Sequence, residues 1–165
     1  MTTQFFTILT QTGIAKHAAA EAGGAPVEMA NLHVGTGGGD IFYNAYNSAT
    51  LAALTGLIDE KWSGAISYLA VDPDNAGRVL IDAVVPVDVG GFTIREVGIT
   101  DTTGDLIAIG RFPPTYKPTA EEGVAHELLV RVVSEWGNPA QVILVVDPQT
   151  TLATHAYVSS VLPAV

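Results

Sequence analysis

A chain of 165 residues with 48% hydrophobic composition is long enough for one domain with a real core and short for two. Its 17 acidic against 7 basic residues leave a formal charge of -10, which repels phosphate backbones and anionic lipid and so excludes nucleic acid as a partner. With no cysteine, a disulfide framework, a thiolate metal site and a cysteine nucleophile are excluded, and folding in a reducing cytoplasm is expected.

The opening Met1-Thr2-Thr3-Gln4 has no positive n-region, and the apolar run Val142-Ile143-Leu144-Val145-Val146 is far shorter than a membrane span, so neither a signal peptide nor membrane insertion is expected. After a short apolar entry at residues 5–9, Thr10 or Thr12 is placed to cap a helix running from Ile14 to Ala22. Gly23-Gly24 and Pro26 stop it, and the small side chains of Ala18, Ala19 and Ala22 predict a close backbone approach. Residues 27–34 alternate as Val27 and Met29, then Leu32 and Val34, a phase slip that predicts a bulged or bent strand. The glycine-rich stretch 35–40 ends it, and a short middle helix is expected near residues 48–55.

Two hairpins follow. The first joins residues 66–71 to 79–87 through the turn 72–77; the second joins 92–100 to 106–112 through 101–105, after Gly90-Gly91. Residues 127–134 and 141–146 read as further strands, and residues 150–162 return to helical spacing before Pro163. The expected fold class is α+β, mainly antiparallel sheet with an N-terminal helix, a short middle helix and a C-terminal helix. Residues 1–149 form the expected domain and 150–165 a C-terminal helical segment.

Chemistry-bearing patterns are searched for and fail on spacing. Histidines 17, 33, 126 and 155 never fall at H-x-x-x-H spacing, and no serine lies in G-x-S-x-G. Gly35-Thr36-Gly37-Gly38-Gly39-Asp40 lacks the Lys-Ser/Thr of a phosphate loop and carries an acid where phosphate would sit. The loop from Asp72 starts like a calcium loop but has Ala76 at position five and Ala83 at twelve. The acid pairs Asp59-Glu60 and Glu121-Glu122 read as solvated loop charges. No catalytic, cofactor-binding or metal-binding residue is assigned, and no cofactor is expected. Arg95-Glu96 stands apart, because consecutive strand residues face opposite ways and one of this charged pair must turn inward or reach an edge.

The stretch Phe92-Thr93-Ile94-Arg95-Glu96-Val97-Gly98-Ile99, preceded by Pro86-Val87-Asp88-Val89-Gly90-Gly91, resembles the core motif of phage tail-collar fibre proteins. The resemblance continues through residues 101–110, Phe112-Pro113, Tyr116-Lys117-Pro118 and Glu122-Gly123, and through the opening residues 6–13 and His33-Val34-Gly35. Residues 39–65 match the family loosely, and the chain ends where family members enter the fibre shaft. The resemblance implies a non-enzymatic structural virion protein, the baseplate-attachment domain of a contractile-tail bacteriophage fibre, assembled in the host cytoplasm. It implies a homotrimer, with baseplate proteins and a separate distal tail-fibre protein as partners in host attachment; a shortened fibre is the other reading of the truncation. The expected structural or interface residues are Gly90, Gly91, Phe92, Arg95 and Glu96, with Ala153, Tyr157 and Val161 as one apolar stripe of the C-terminal helix. A different-class alternative is a host-surface glycan-binding module using Trp62, Tyr68 or Trp136.

Overall fold

The computed structural model describes residues 6–122, 127–135 and 142–144. In chain order these form β1 (Phe6–Leu9), α1 (Gln11–Glu21), β2 (Val27–Gly35), α2 (Phe42–Ala45), α3 (Ser48–Ala52), β3 (Glu60–Ala65), β4 (Tyr68–Val71), β5 (Arg78–Val85), β6 (Phe92–Asp101), β7 (Leu106–Lys117), a single 3₁₀ turn (Ala120–Glu122), β8 (Leu128–Glu135) and β9 (Val142–Leu144). The larger sheet has the order β1-β7-β6-β2-β3, with β9 added in parallel to the first residues of β2. The smaller sheet is β4-β5-β8, antiparallel throughout.

Strand alternation decides which side chains meet. Val79, Ile81, Ala83 and Val85 of β5, with Val130 and Val132 of β8, pack against Met29, Leu32, Val34, Ile94, Val97 and Ile99 of the larger sheet. All are essentially solvent-free, and each of the valine, leucine, isoleucine and methionine side chains is worth roughly 1.5–3 kcal/mol of burial. The phase slip in β2 falls where its register against β6 shifts, between Met29 and Asn31, which keeps Leu32 and Val34 on the core side. On its other face the larger sheet carries a second, smaller cluster of Phe42, Leu51, Leu106 and Ile109, covered by the excursion of residues 36–59 that contains α2 and α3.

The α+β expectation is corrected by this architecture: the fold is mainly antiparallel β, two sheets packed on each other, with three short helices at the margins. The physical reason is side-chain bulk. Helix α1 buries only Gly13, His17 and Ala20, and α2 and α3 have 4 and 5 residues, so no helix supplies a core layer. Thr10 caps α1, its hydroxyl accepting from the Gly13 amide at 3.0 Å and donating to the Leu106 carbonyl at 2.5 Å. The close backbone approach falls at Gly13, where a Cβ would lie 2.0 Å from the Ile107 carbonyl oxygen, and not at the exposed Ala18, Ala19 and Ala22. The strands expected at 127–134 and 141–146 belong to different sheets, and β9 is parallel. The expected C-terminal helix at 150–162 lies outside the described residues.

Candidate functional site

A charged pair inside an apolar strand must find partners or reach water, because an unpaired buried charge costs several kcal/mol. In β6 Arg95 and Glu96 fall at the shift in register against β7 and, contrary to simple alternation, both close on the same excursion. Glu96 is fully buried. One carboxylate oxygen, Oε1, accepts from the Ile58 amide at 2.7 Å; the other, Oε2, accepts from Asp59 at 2.7 Å and Gly37 at 2.9 Å. Arg95 donates from Nε to Asp40 Oδ1 at 3.0 Å and from Nη1 to the Thr36 carbonyl at 3.2 Å. Asp40 is 83% exposed, so the ion pair itself is worth little, and the guanidinium's role is positional.

Both ends of the excursion are thus tied down at one place. Thr36 donates its amide to the Asp59 carbonyl at 2.9 Å and its hydroxyl to the Asp59 carboxylate. That hydroxyl holds the Asp59 carboxyl below its usual range. Gly35 has to be glycine here, since a Cβ would come 2.4 Å from the Asp59 carbonyl oxygen and 2.6 Å from Glu96 Oε2. Gly37, Gly38 and Gly39 all have positive φ. The amide-rich bend they help to make is therefore an anion site of the kind a glycine loop offers, and the anion that fills it is the chain's own Glu96.

Opposite Arg95, β7 bulges. Ile94 pairs with Thr115 and Glu96 with Arg111, leaving Phe112, Pro113 and Pro114 against a single residue of β6. Prolines cannot donate to a ladder, so the bulge falls where they sit. Tyr43 of α2 donates its hydroxyl to the Phe112 carbonyl at 2.6 Å, and burial pushes its phenol up to about 12.

The Gly90-Gly91-Phe92 entry to β6 is pinned separately. A Cβ on Gly90 would lie 2.2 Å from the Pro118 carbonyl oxygen, and Gly91, at φ +85, donates to the Lys117 carbonyl at 2.7 Å. Lys117 is fully buried, its amine donating to the Val89 carbonyl at 2.7 Å and the Pro118 carbonyl at 3.3 Å. Phe92 packs half-buried on the main core. Ala153, Tyr157 and Val161 lie outside the described residues.

The remaining candidates are spent on local structure. His33 bridges Glu60 and Thr100 at 3.0 and 2.8 Å, and no group of three His, Cys, Asp or Glu able to hold a metal occurs among the described residues. Asp72 and Asn75 accept from the amides of Asp74 and Gly77, so the turn's oxygens cap its own backbone. Glu122 accepts from the Tyr116 hydroxyl at 2.6 Å and the Thr119 amide at 2.7 Å. Of the aromatics considered for sugar stacking, Trp62 lies half-buried over Gly64, Tyr68 is exposed, and Trp136 is outside the described residues.

Two features went unread in the sequence. One is Lys117, whose burial only the turn at Gly90 creates. The other is the pair Asp82 and Arg131, which face each other in register between β5 and β8 through two 2.7 Å bonds. Each interrupts an apolar strand just as Arg95-Glu96 does, and that interruption was the available signal.

The sequence model of a family described as phage tail-collar fibre protein, N-terminal, matches residues 1–156. Among curated proteins, the probable tail fiber protein of Escherichia phage P2 is 36% identical over 159 residues, which is 96% of this chain and 23% of that protein. The chain therefore spans less than a quarter of that relative's length. No solved structure matches.

Proposed function

The chain belongs to the phage tail-collar fibre protein family, and from that premise we propose that it is the attachment domain holding a tail fibre to the baseplate of a contractile tail. As a member of that family it is a structural component of the virion tail. The finer reading is that three copies join in a homotrimer and that a baseplate protein and a distal fibre protein are its partners, in host attachment. The chain itself is read as a non-catalytic adaptor. The observation that carries this reading is the match over residues 1–156 to a model of the N-terminal part of such fibres.

What the geometry adds supports a holding role. The buried charges of Glu96 and Lys117 are occupied by backbone amides and carbonyls. Such groups fix a shape and leave no free acid, base or nucleophile in that cluster.

Labelling the chain in intact particles and locating the label by electron microscopy tests the reading. Label at the baseplate, together with fibreless, non-adsorbing particles when the gene is deleted, is the expected result. Label on the head or along the tail tube, or deletion particles that keep their fibres, would overturn it.

A further inference from the structure

Antiparallel strands with one face in water alternate apolar-in and polar-out. Strands β5 and β8 do not. Their inner residues form the main core, and on the outer register the apolar Leu80, Val84, Leu129 and Val133 alternate with the paired charges Asp82 and Arg131 and, at the far end, with Arg78 in register with Glu135. Register places Val84 beside Leu129, then Tyr68 beside Asp82 and Arg131, then Ala70 beside Leu80 and Val133, three rows about 7 Å apart along the strands. Leu129 is 56% exposed, Tyr68 48% and Val133 39%. Past Val133 lies a groove of about 870 Å³ whose walls include Ile8, Leu9 and Ile14 together with one acid and one base, Asp72 and Arg78. β8, with Leu128-Leu129-Val130 and Val132-Val133 in one strand, has the composition of a strand covered on both sides.

We propose that this outer face of the three-stranded sheet is the surface through which copies of the chain meet one another. The inference rests on the reading that copies assemble in the fibre, and it deepens that reading by naming the surface. Charge selects the occupant. At a formal -10, most surfaces of one copy repel the same surfaces of another. Across these three rows the charged side chains are Asp82 and Arg131, already closed on each other by two bonds of 2.7 Å. Across these rows the charges therefore cancel, and the face does not repel the corresponding face of another copy. An acidic partner would need a cation to spare; the Arg131 charge is committed to Asp82, and Arg78 in the groove shares its wall with Asp72. A pair that arrives already hydrogen-bonded also enters an interface at lower desolvation cost than a lone guanidinium.

Because the chain has no cysteine, a single introduced thiol reports contact cleanly. The 165-residue chain, its Leu129→Asp/Val133→Asp double variant, and the single variants Leu129→Cys and Ile41→Cys are compared by light scattering and by oxidative cross-linking. Ile41 is 69% exposed and lies on the excursion that covers the opposite sheet. The expected result is an assembled wild type, loss of assembly in a double-Asp variant that still melts cooperatively, and cross-linking through residue 129 but not 41. If the double variant misfolds, the cross-linking arm decides. An assembled wild type with no cross-link at 129, or a double variant that stays assembled, overturns this face and leaves fibre assembly standing. A wild type that is monomeric at every concentration overturns both.

Discussion

Replacing Glu96 by Gln tests whether one buried carboxylate fastens the 36–59 excursion. The carboxylate offers two acceptor oxygens to three amides: Gly37, Ile58 and Asp59. Glutamine keeps one. With its oxygen toward Gly37 and Asp59, its NH₂ points at the Ile58 amide, leaving a buried donor unsatisfied at about 1–3 kcal/mol and stripping charge assistance from the other two bonds. The expected loss is about 2–4 kcal/mol, which for a domain of this size lowers Tm by about 5–15 °C. Thermal unfolding followed by circular dichroism reads the global effect. Amide hydrogen exchange reads the local one, with Gly37, Ile58 and Asp59 exchanging faster before any strand of the sandwich does. If Glu96→Gln melted within about 1 °C of wild type and those three amides kept their protection, the fastening argument would be wrong.

Gly90→Ala brings a Cβ to 2.2 Å from the Pro118 carbonyl, whereas Gly104→Ala strains only a φ of +89 in open space, so urea titration should find Gly90→Ala the more damaging, with Gly104→Ala losing about 1–2 kcal/mol. Asp101 is subject to burial, which raises its carboxyl, but the Lys16 amine, the Thr103 side chain and the Asp105 amide outweigh burial and hold it below 3.8. Its contribution is therefore present above the ordinary carboxylate range and lost as the pH falls through the depressed value, and melts of Asp101→Asn should lie below wild type at neutral pH and converge with it in strong acid. Thr10→Val removes both the cap on Gly13 and the bond to Leu106; a loss of about 1–2 kcal/mol is expected, and an unchanged urea midpoint would show that α1 does not depend on its cap.

The sandwich was legible where alternation was clean. Val79, Ile81 and Ala83 read as a strand because apolar residues recur in phase with the pleat, and Ile94 to Ile99 because Ile94, Val97 and Ile99 recur with a single slip. What misled was helix-forming composition at 14–22 and 48–55: alanine marks where a helix can form, not whether it has bulk enough to be a layer of the core. β3 was missed because Glu60-Lys61-Trp62-Ser63-Gly64-Ala65 puts its one large apolar residue, Trp62, over a glycine instead of in an alternating series. The site was half legible. Arg95-Glu96 announced itself as charge in an apolar strand, but its partners at Gly37, Ile58 and Asp59 are backbone amides, which no side-chain pattern encodes.

Backbone capture also leaves the excursion's own side chains little part in the fastening. A carboxylate that binds backbone N–H groups binds something nearly every residue presents, so side chains between Gly39 and Glu60 are free to differ while the fastening stays the same. Their own small cluster around Phe42 and Leu51 lies on the far side of the larger sheet from the main core, so changes there do not reach it. Alanine and proline at Asp59 separate the side chain from the amide. Alanine there removes a half-exposed carboxylate and its contact with Thr36, but leaves the amide that Glu96 holds; about 1 kcal/mol or less is expected. Proline removes the amide itself, one of the three that Glu96 holds, and should cost about 1–3 kcal/mol. Combined with Glu96→Ala, the proline should add little further, since the bond it deletes is already gone. The double-mutant cycle by urea denaturation measures this. Full additivity of Asp59→Pro and Glu96→Ala would mean that the two residues stabilise the fold separately and that backbone capture is not what holds the excursion.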